Sequence, residues 1–399
     1  MVFLHWLLPV SAWLLALGWA WQVVDRWLHR NSVPDLNLLS ECLPLKADAP
    51  HLTVIVPACN EQDGIETTLR GLLASRGLRL QILAVNDRST DATGARMEAI
   101  AAECAADNAV GGHTLEVIHI RELPHGWLGK PHALATAARR AQAKWILFTD
   151  GDVEFASEVL VRALGFAQRE QVDHLAVLPD WVAVSRAEMA LQGAMFALTG
   201  WGLRYWKIAD PKAKDFLGVG AFNLMRKASY EALGGFETLR MEVLEDLRMG
   251  WRVKQFGMRQ QVAWGCGMVR VRWANGAWGV VRNLEKNIFA LFRFQMILAL
   301  AACAGMMLHT VWPLLAIAAG GTARVAGVST YLAMAAVYAL QQRRTHVPAG
   351  YVLFFPFASA LFLFAMLRSI TMTILRNGVV WRGTHYPLRE LRAAAGDRW

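Results

Sequence analysis

Met1–Val24 contains no charged side chain, carries Trp6, Trp13, Trp19 and Trp21, and is followed at once by Asp25-Arg26. A helix needs about 20 apolar residues to cross a bilayer, so this run reads as a membrane anchor. A cleaved leader would open on a basic segment, which is missing here, and Arg26 and Arg30 place the following chain on the inner side. The apolar density falls until Arg293 and then returns in three stretches, Met296–Ala319, the shorter Val325–Leu340, and Tyr351–Leu367. Basic residues put both Arg26–Arg293 and the tail (Arg368, Arg376, Arg382, Arg389, Arg392, Arg398) inside, which requires an even number of crossings between them. Gln341-Gln342-Arg343-Arg344 has the same character and favours three. A re-entrant segment or an interfacial tail would satisfy both, and the sequence leaves the number of C-terminal spans open.

With 55% hydrophobic and 18% charged residues, the chain has fewer charges than the roughly 25% of an ordinary soluble domain. It is also too apolar for disorder. The net charge of +9 admits nucleic acid, an anionic membrane face or an anionic substrate. No base-stacking motif or dense basic stripe appears, so nucleic acid is set aside. Cys42, Cys59, Cys104, Cys266 and Cys303 form no CxxC pair and no regular spacing, which argues against a disulfide framework or a zinc site and makes a reducing compartment the default.

The middle of the chain alternates strand and helix patterns. His51–Pro57, Leu80–Val85, Leu115–Ile120 and Trp145–Thr149 are β-branched or apolar runs, separated by helical spacings over Ala58–Ser75, Ala92–Ala106 and Pro131–Ala143. This order predicts a parallel sheet covered by helices, whose ligands bind beyond the carboxyl ends of the strands. The polar clusters Asn60-Glu61, Asp87 and Asp150-Gly151-Asp152 all fall at such ends. Met189–Trp206, uncharged apart from Arg204, fits either a buried core helix or a membrane-dipping helix that admits a lipid.

Asp150-Gly151-Asp152 suits a hard cation such as Mg²⁺ or Mn²⁺ with substrate phosphates, since the glycine lets both carboxylates converge; the same triplet also makes solvated turns. Asp87 comes directly off a strand end, where a carboxylate accepts hydrogen bonds from a nucleobase or a ribose, while Ser89, Thr90 and Asp91 suit helix capping. Gly126-Trp127-Leu128-Gly129-Lys130-Pro131 opens a helix at a position where Lys130 and the helix N-terminus suit an anionic phosphate. Glu245-Asp246 precedes an amphipathic helix over Leu247–Phe256, and an acid there serves either as a cap or as a general base. The histidines form no hydrolase arrangement.

Taken in order, VIVPACNEQDGIETTL, VNDRSTDAT, GKPHAL, TDGDVEF, GAFNLMRKASYEALGGF and LEDLRMGWRVKQFG resemble the family 2 inverting glycosyltransferases of GT-A fold. The likeness runs over His51–Gly257, and the terminal spans with Trp381-Arg382-Gly383-Thr384-His385-Tyr386 look like the membrane-bound branch. That branch includes ceramide glucosyltransferases and hopanoid-associated and carotenoid glycosyltransferases. The resemblance implies an α/β GT-A domain over residues 51–293, flanked by an anchor (1–25) and a linker (26–50). Membrane helices (294–367) and a basic interfacial tail (368–399) would follow. It implies that Glu61 and Asp87 hold the nucleotide of a sugar donor and that Lys130, Asp150 and Glu245 also line the donor. Asp152, with Asp150, would bind Mg²⁺ or Mn²⁺, and Asp246 would be the catalytic base.

The implied reaction is single, inverting transfer from a nucleotide-sugar, a UDP-sugar first, to a lipid hydroxyl. It would run at the cell membrane, in a multi-pass protein whose catalytic domain is cytoplasmic. Transfer to polyprenyl phosphate or a short polysaccharide needs the same donor site, and an inactive scaffold in a lipid-synthesis complex would need none of it. Cys59 stands where the family's PARNE pattern has arginine. No QxxRW follows Asp246, since Val269–Trp273 keeps only its last two residues, and that loss favours single transfer over chain extension. Trp381 and Arg382 suit an aromatic belt and a basic anchor, the favoured reading, or else closure over the acceptor.

Overall fold

The structure, a computed structural model, describes residues 2–39, 50–106 and 112–396. Cys42, most of the latter half of the expected linker and Arg398 lie outside the described residues. The chain divides into two compact units, one of residues 1–32, 183–204 and 273–381 and the other of residues 33–182, 205–272 and 382–399. Residues 189–204 and 273–293, placed in the α/β domain on sequence grounds, therefore group with the helical unit, and the tail beyond Trp381 groups with the α/β unit.

The α/β unit contains strands β1 (Leu52–Ala58), β2 (Leu80–Asp87), β3 (Thr114–Ile120), β4 (Trp145–Phe148), β5 (Val153–Phe155), β6 (His174–Leu178), β7 (Asp180–Trp181), β8 (Asn223–Arg226), β9 (Gln260–Trp264) and β10 (Val269–Val271). Seven of them form one sheet in the order β3-β2-β1-β4-β8-β6-β9, and β5, β10 and β7 form a smaller one. Strands β1 to β4 are parallel as expected, while β8 runs antiparallel to both β4 and β6.

Every residue of β1 is buried. Val54 and Val56 face one apolar core and Ile55 the other, which is why the strand reads as a continuous apolar run rather than an alternating one. The order β2-β1-β4 brings three neighbouring carboxyl ends together: Cys59–Glu61 after β1, Asp87 at the end of β2, and Asp150–Asp152 after β4. Helix formation after β1 begins only at Ile65, because residues 60–62 are tied into the site described below.

His174 on β6 is fully buried and links three neighbouring strands. Its Nε2 pairs with Asn223 Oδ1 on β8 at 3.0 Å and its Nδ1 with Gln260 Nε2 on β9 at 2.7 Å. That arrangement suits the neutral ring, with Nε2–H donating and Nδ1 accepting. Burial pushes its pKa down to about 4, against the raising effect of Asn223. Below about pH 6.5 the unfolded chain takes up a proton that the folded one refuses until about 4, so acid favours unfolding. We expect this residue to cost the fold on the order of 3 kcal/mol between pH 7 and pH 4. Thermal midpoints of the wild type and of His174→Gln across that range check it: a pH slope unchanged in the variant would rule out His174 as its source.

Among the described residues of the helical unit, four segments are long and apolar enough to cross a membrane: Leu7–Leu28, Met296–Ala319, Gly321–Thr345 and Ala349–Leu375. The stretch expected as a short Val325–Leu340 is thus a full-length helix, because its polar end through Thr345 continues the same ladder. The helix Arg186–Thr199, within the segment open to two readings, is buried among these segments. Its Ala190, Ala194 and Ala197 share a core with Leu15, Trp19, Met334, Val337 and Phe355. Small residues let backbones approach closely: a Cβ on Gly193 would lie 2.7 Å from Tyr338 Cε1, and one on Gly200 would lie 2.0 Å from the Arg26 guanidinium. Arg26 donates to the Ala197 carbonyl at 2.9 Å, and Glu285 accepts from Arg368 and Arg376, each at 2.7 Å.

Candidate active site

The loop leaving β1 is cross-linked to the loop leaving β2. Ser89 Oγ accepts from the Asn60 N–H (3.1 Å), Thr93 Oγ1 from the Glu61 N–H (2.8 Å), and Asn60 Oδ1 from the Thr90 N–H (2.8 Å). Asn60 and Arg88 both have left-handed backbones, with φ of 57° and 56°, the turns that bring the two loops side by side. Asp87 is fully buried and bound in a fork by Arg88, Nε to Oδ1 at 2.8 Å and Nη2 to Oδ2 at 3.1 Å.

Gly129, in the first turn of the helix Gly129–Ala138, passes so close that a Cβ there would lie 2.5 Å from Asp87 Oδ2. That helix starts two residues before the Pro131 expected from sequence, which places Lys130 within its first turn. From there Lys130 Nζ lies 2.7 Å from Asp150 Oδ1 and 2.6 Å from Glu245 Oε1. Burial alone would depress this ammonium; Asp150 and then Glu245 outweigh it and hold its pKa above the ordinary lysine range.

Glu245 and Asp246 form the first turn of the helix Glu245–Gln255, two residues earlier than the spacing predicted. Asp246 Oδ1 accepts from the Leu247 N–H at 2.7 Å. Burial, reinforced by Glu245 and opposed by Lys130, pushes the Asp246 carboxyl up to about 6. Asp152 is pushed up to about 7 by burial and then by the charges of Asp150 and Glu61. Burial likewise raises Glu61, with Arg382 pulling the other way. The Cys59 thiol is also raised, first by burial, so it has no thiolate character at neutral pH.

Lys130, Asp150, Glu245 and Asp246 thus stand together, and Gly220 packs against them: a Cβ there would lie 2.6 Å from Asp150 Oδ2 and 3.3 Å from both Asp246 Oδ2 and Lys130 Nζ. Among the described residues, no three His, Cys, Asp or Glu side chains are grouped to hold a metal on their own. Asp150 and Asp152 nevertheless fit Mg²⁺ or Mn²⁺. They are oxygen donors, repulsion already raises Asp152, and such ions usually combine one or two carboxylates with substrate phosphates.

Two features escape sequence reasoning. Gly220 belongs to the pattern Gly218-Val219-Gly220 before an apolar strand, and those spaced glycines are the signal that marks it. Arg382, expected as a basic anchor, lies in the α/β unit with Nη2 3.5 Å from Glu61 Oε1, a contact that no local pattern announces.

Residues 53–234 match the family model described as Glycosyl transferase family 2, the family its motifs resemble. The match takes in Glu61 through Gly220 and ends before Asp246. Over 202 residues the chain is 24% identical to the 4,4'-diaponeurosporenoate glycosyltransferase of Staphylococcus haemolyticus (strain JCSC1435), covering 50% of this chain and 50% of that protein. It therefore spans about half the length of this curated relative. Among solved structures it is similar to the mannosyltransferase PcManGT from Pyrobaculum calidifontis, in complex with GDP-Man and Mn2+. That likeness has a TM-score of 0.53 at 19% identity and covers 92% of this chain and 99% of that one. It is a likeness of fold and agrees with the expected GT-A arrangement.

Proposed function

We propose that this family 2 glycosyltransferase domain transfers one sugar, with inversion, from a nucleotide-sugar to a hydroxyl of a membrane lipid. The observation that carries the reading is the convergence of Lys130, Asp150, Glu245 and Asp246 beside Gly220. They share the unit in which Glu61, Asp87 and Asp152 leave neighbouring strand ends.

In this reading Asp246 takes the proton of the acceptor hydroxyl. The hydroxyl oxygen bonds to the anomeric carbon from the face opposite the diphosphate, and the nucleoside diphosphate leaves with the electron pair of the broken C–O bond. A carboxylate raised to about 6 is well matched to accept a proton near neutral pH. Lys130, held above the ordinary lysine range, keeps its full charge and faces the leaving diphosphate. Asp87 and Glu61 hold the nucleoside. Asp150 and Asp152 would hold a Mg²⁺ or Mn²⁺ ion, which would supply charge neutralisation on the diphosphate. The Mn2+ and GDP-Man of the Pyrobaculum structure support that choice of metal and donor class.

The apolar segments support a lipid acceptor and a multi-pass protein in the cell membrane. Arg26 and Arg30 favour a cytoplasmic catalytic domain, and the lack of a QxxRW pattern favours single transfer.

The test is a transfer assay on the full-length, detergent-purified protein with labelled UDP- and GDP-sugars, a membrane lipid extract and Mn²⁺ or Mg²⁺. Label is expected in an organic-extractable product, to be lost on chelation with EDTA and restored by adding back the metal. Transfer that persists in EDTA would remove the metal role. No transfer with any donor, together with no donor-dependent thermal shift, would leave the scaffold reading in its place.

A further inference from the structure

Arg382 occupies an unusual backbone position. It and Gly383 are the two-residue connection between the strand Gly378–Trp381 and the strand Thr384–Pro387, and both have positive φ, 50° and 77°. Two-residue connections with φ above zero at both positions are ordinarily filled by Asn-Gly or Asp-Gly. Gly383 obeys that rule, whereas arginine at the first position gains nothing from the turn, since only Asn, Asp and Gly visit this conformation readily. A residue held against its backbone preference is a reason to look for a role in its side chain.

The side chain is only 19% exposed and reaches Glu61, the acid that leaves β1 in the middle of the proposed donor site. The other cations there are Lys130, paired with Asp150 and Glu245, and Arg88, paired with Asp87, and Arg382 joins them through Glu61 at 3.5 Å. An incoming nucleoside diphosphate must approach Glu61, Asp150 and Asp152, all of one sign. A guanidinium, planar and permanently charged, is the group best suited to grip two phosphate oxygens at once.

We propose that Arg382 binds the diphosphate of the nucleotide-sugar donor, with Glu61 orienting its guanidinium. The inference rests on the glycosyl-transfer reading above and adds to it a donor contact supplied from the far C-terminal end of the chain.

The decisive variant is Arg382→Asn, because asparagine suits the turn at least as well as arginine does and removes only the guanidinium. Full-length protein in detergent is titrated with UDP and with GDP in the presence of Mn²⁺, and thermal midpoints are recorded for the same samples. Arg382→Asn is expected to keep the wild-type midpoint and to lose about tenfold in affinity for the bound nucleoside diphosphate, with Arg382→Lys recovering part of the loss. Wild-type affinity in Arg382→Asn would overturn the proposal while leaving the transfer reading intact. So would an affinity loss that comes with a lowered midpoint and is not relieved by lysine. Failure of the wild type to bind either nucleotide would overturn both.

Discussion

An Asp246→Asn enzyme is expected to lose sugar transfer by about a thousandfold while still binding the nucleotide-sugar. The replacement is nearly isosteric, and an amide oxygen can keep the 2.7 Å hydrogen bond from the Leu247 N–H, so the start of the helix Glu245–Gln255 should hold. What the amide cannot do is accept a proton from the acceptor hydroxyl. Asp150, Glu245 and Asp246 surround one Lys130, so removing one negative charge relieves repulsion among acids and leaves an anionic donor no worse bound.

The same environment sets the pH dependence. The base must be ionised to work, and its carboxyl is pushed up to about 6. The wild-type rate should therefore climb as pH rises through that value and flatten above it. Single-turnover rates with labelled donor across pH 5 to about 8, set beside nucleoside diphosphate titrations of the variant, check both statements. A variant that transferred sugar at near wild-type rate would remove Asp246 from the chemistry, and one that lost both transfer and nucleotide binding would show that the substitution had damaged the site.

The acids of this site were visible in the sequence because each follows a buried apolar run, and a carboxylate placed at the end of such a strand needs a partner there. Asp87, Asp150 and Asp152 could be found from that alone. What made them neighbours, the order β2-β1-β4, depends on how strands distant in the chain pair, and local periodicity carries no such information. Lys130 illustrates the limit. Its place at the start of a helix pointed to phosphate, but the ion pairs to Asp150 and Glu245 join three segments far apart in the chain, and they make it the centre of the acidic cluster.

The antiparallel turn of β8 was hidden for a related reason, since the chain reaches it only after residues 183–204 have left for the helical unit. That excursion also explains the two-way reading of Met189–Trp206. Its small and apolar residues are those of a buried helix, but the surface that buries them comes from helices at both ends of the chain. Arg382, a basic residue beside a tryptophan near a span, fits an interfacial anchor by composition, and its contact with Glu61 joins residues too far apart in the chain for a local pattern to show.

Gly218 and Gly220 should respond to alanine in opposite ways, although they are two residues apart. At Gly218 an added Cβ would fall 1.7 Å from the Asp246 carbonyl oxygen and 2.2 Å from its carbon, both backbone atoms. The contact is doubled by Gly250, whose Cβ would meet the Leu217 carbonyl oxygen at 2.1 Å. Neither backbone can give without moving the helix that carries Glu245 and Asp246, so Gly218→Ala is expected to cost about 3 kcal/mol of stability and to lower the thermal midpoint with activity following.

At Gly220 the atoms in the way are the ends of side chains, Asp150 Oδ2 at 2.6 Å and Asp246 Oδ2 and Lys130 Nζ at 3.3 Å. These can swing aside at little cost to the fold, but not without leaving the arrangement that the chemistry uses. Gly220→Ala should therefore keep the wild-type midpoint and lose about a hundredfold in transfer rate, the usual effect of displacing reacting groups by an ångström. Measuring midpoint and rate on both variants separates a glycine that lets two backbones meet from one that leaves room for the site. A Gly220→Ala protein as active as the wild type would mean that the Lys130–Asp150–Asp246 geometry is not the working one.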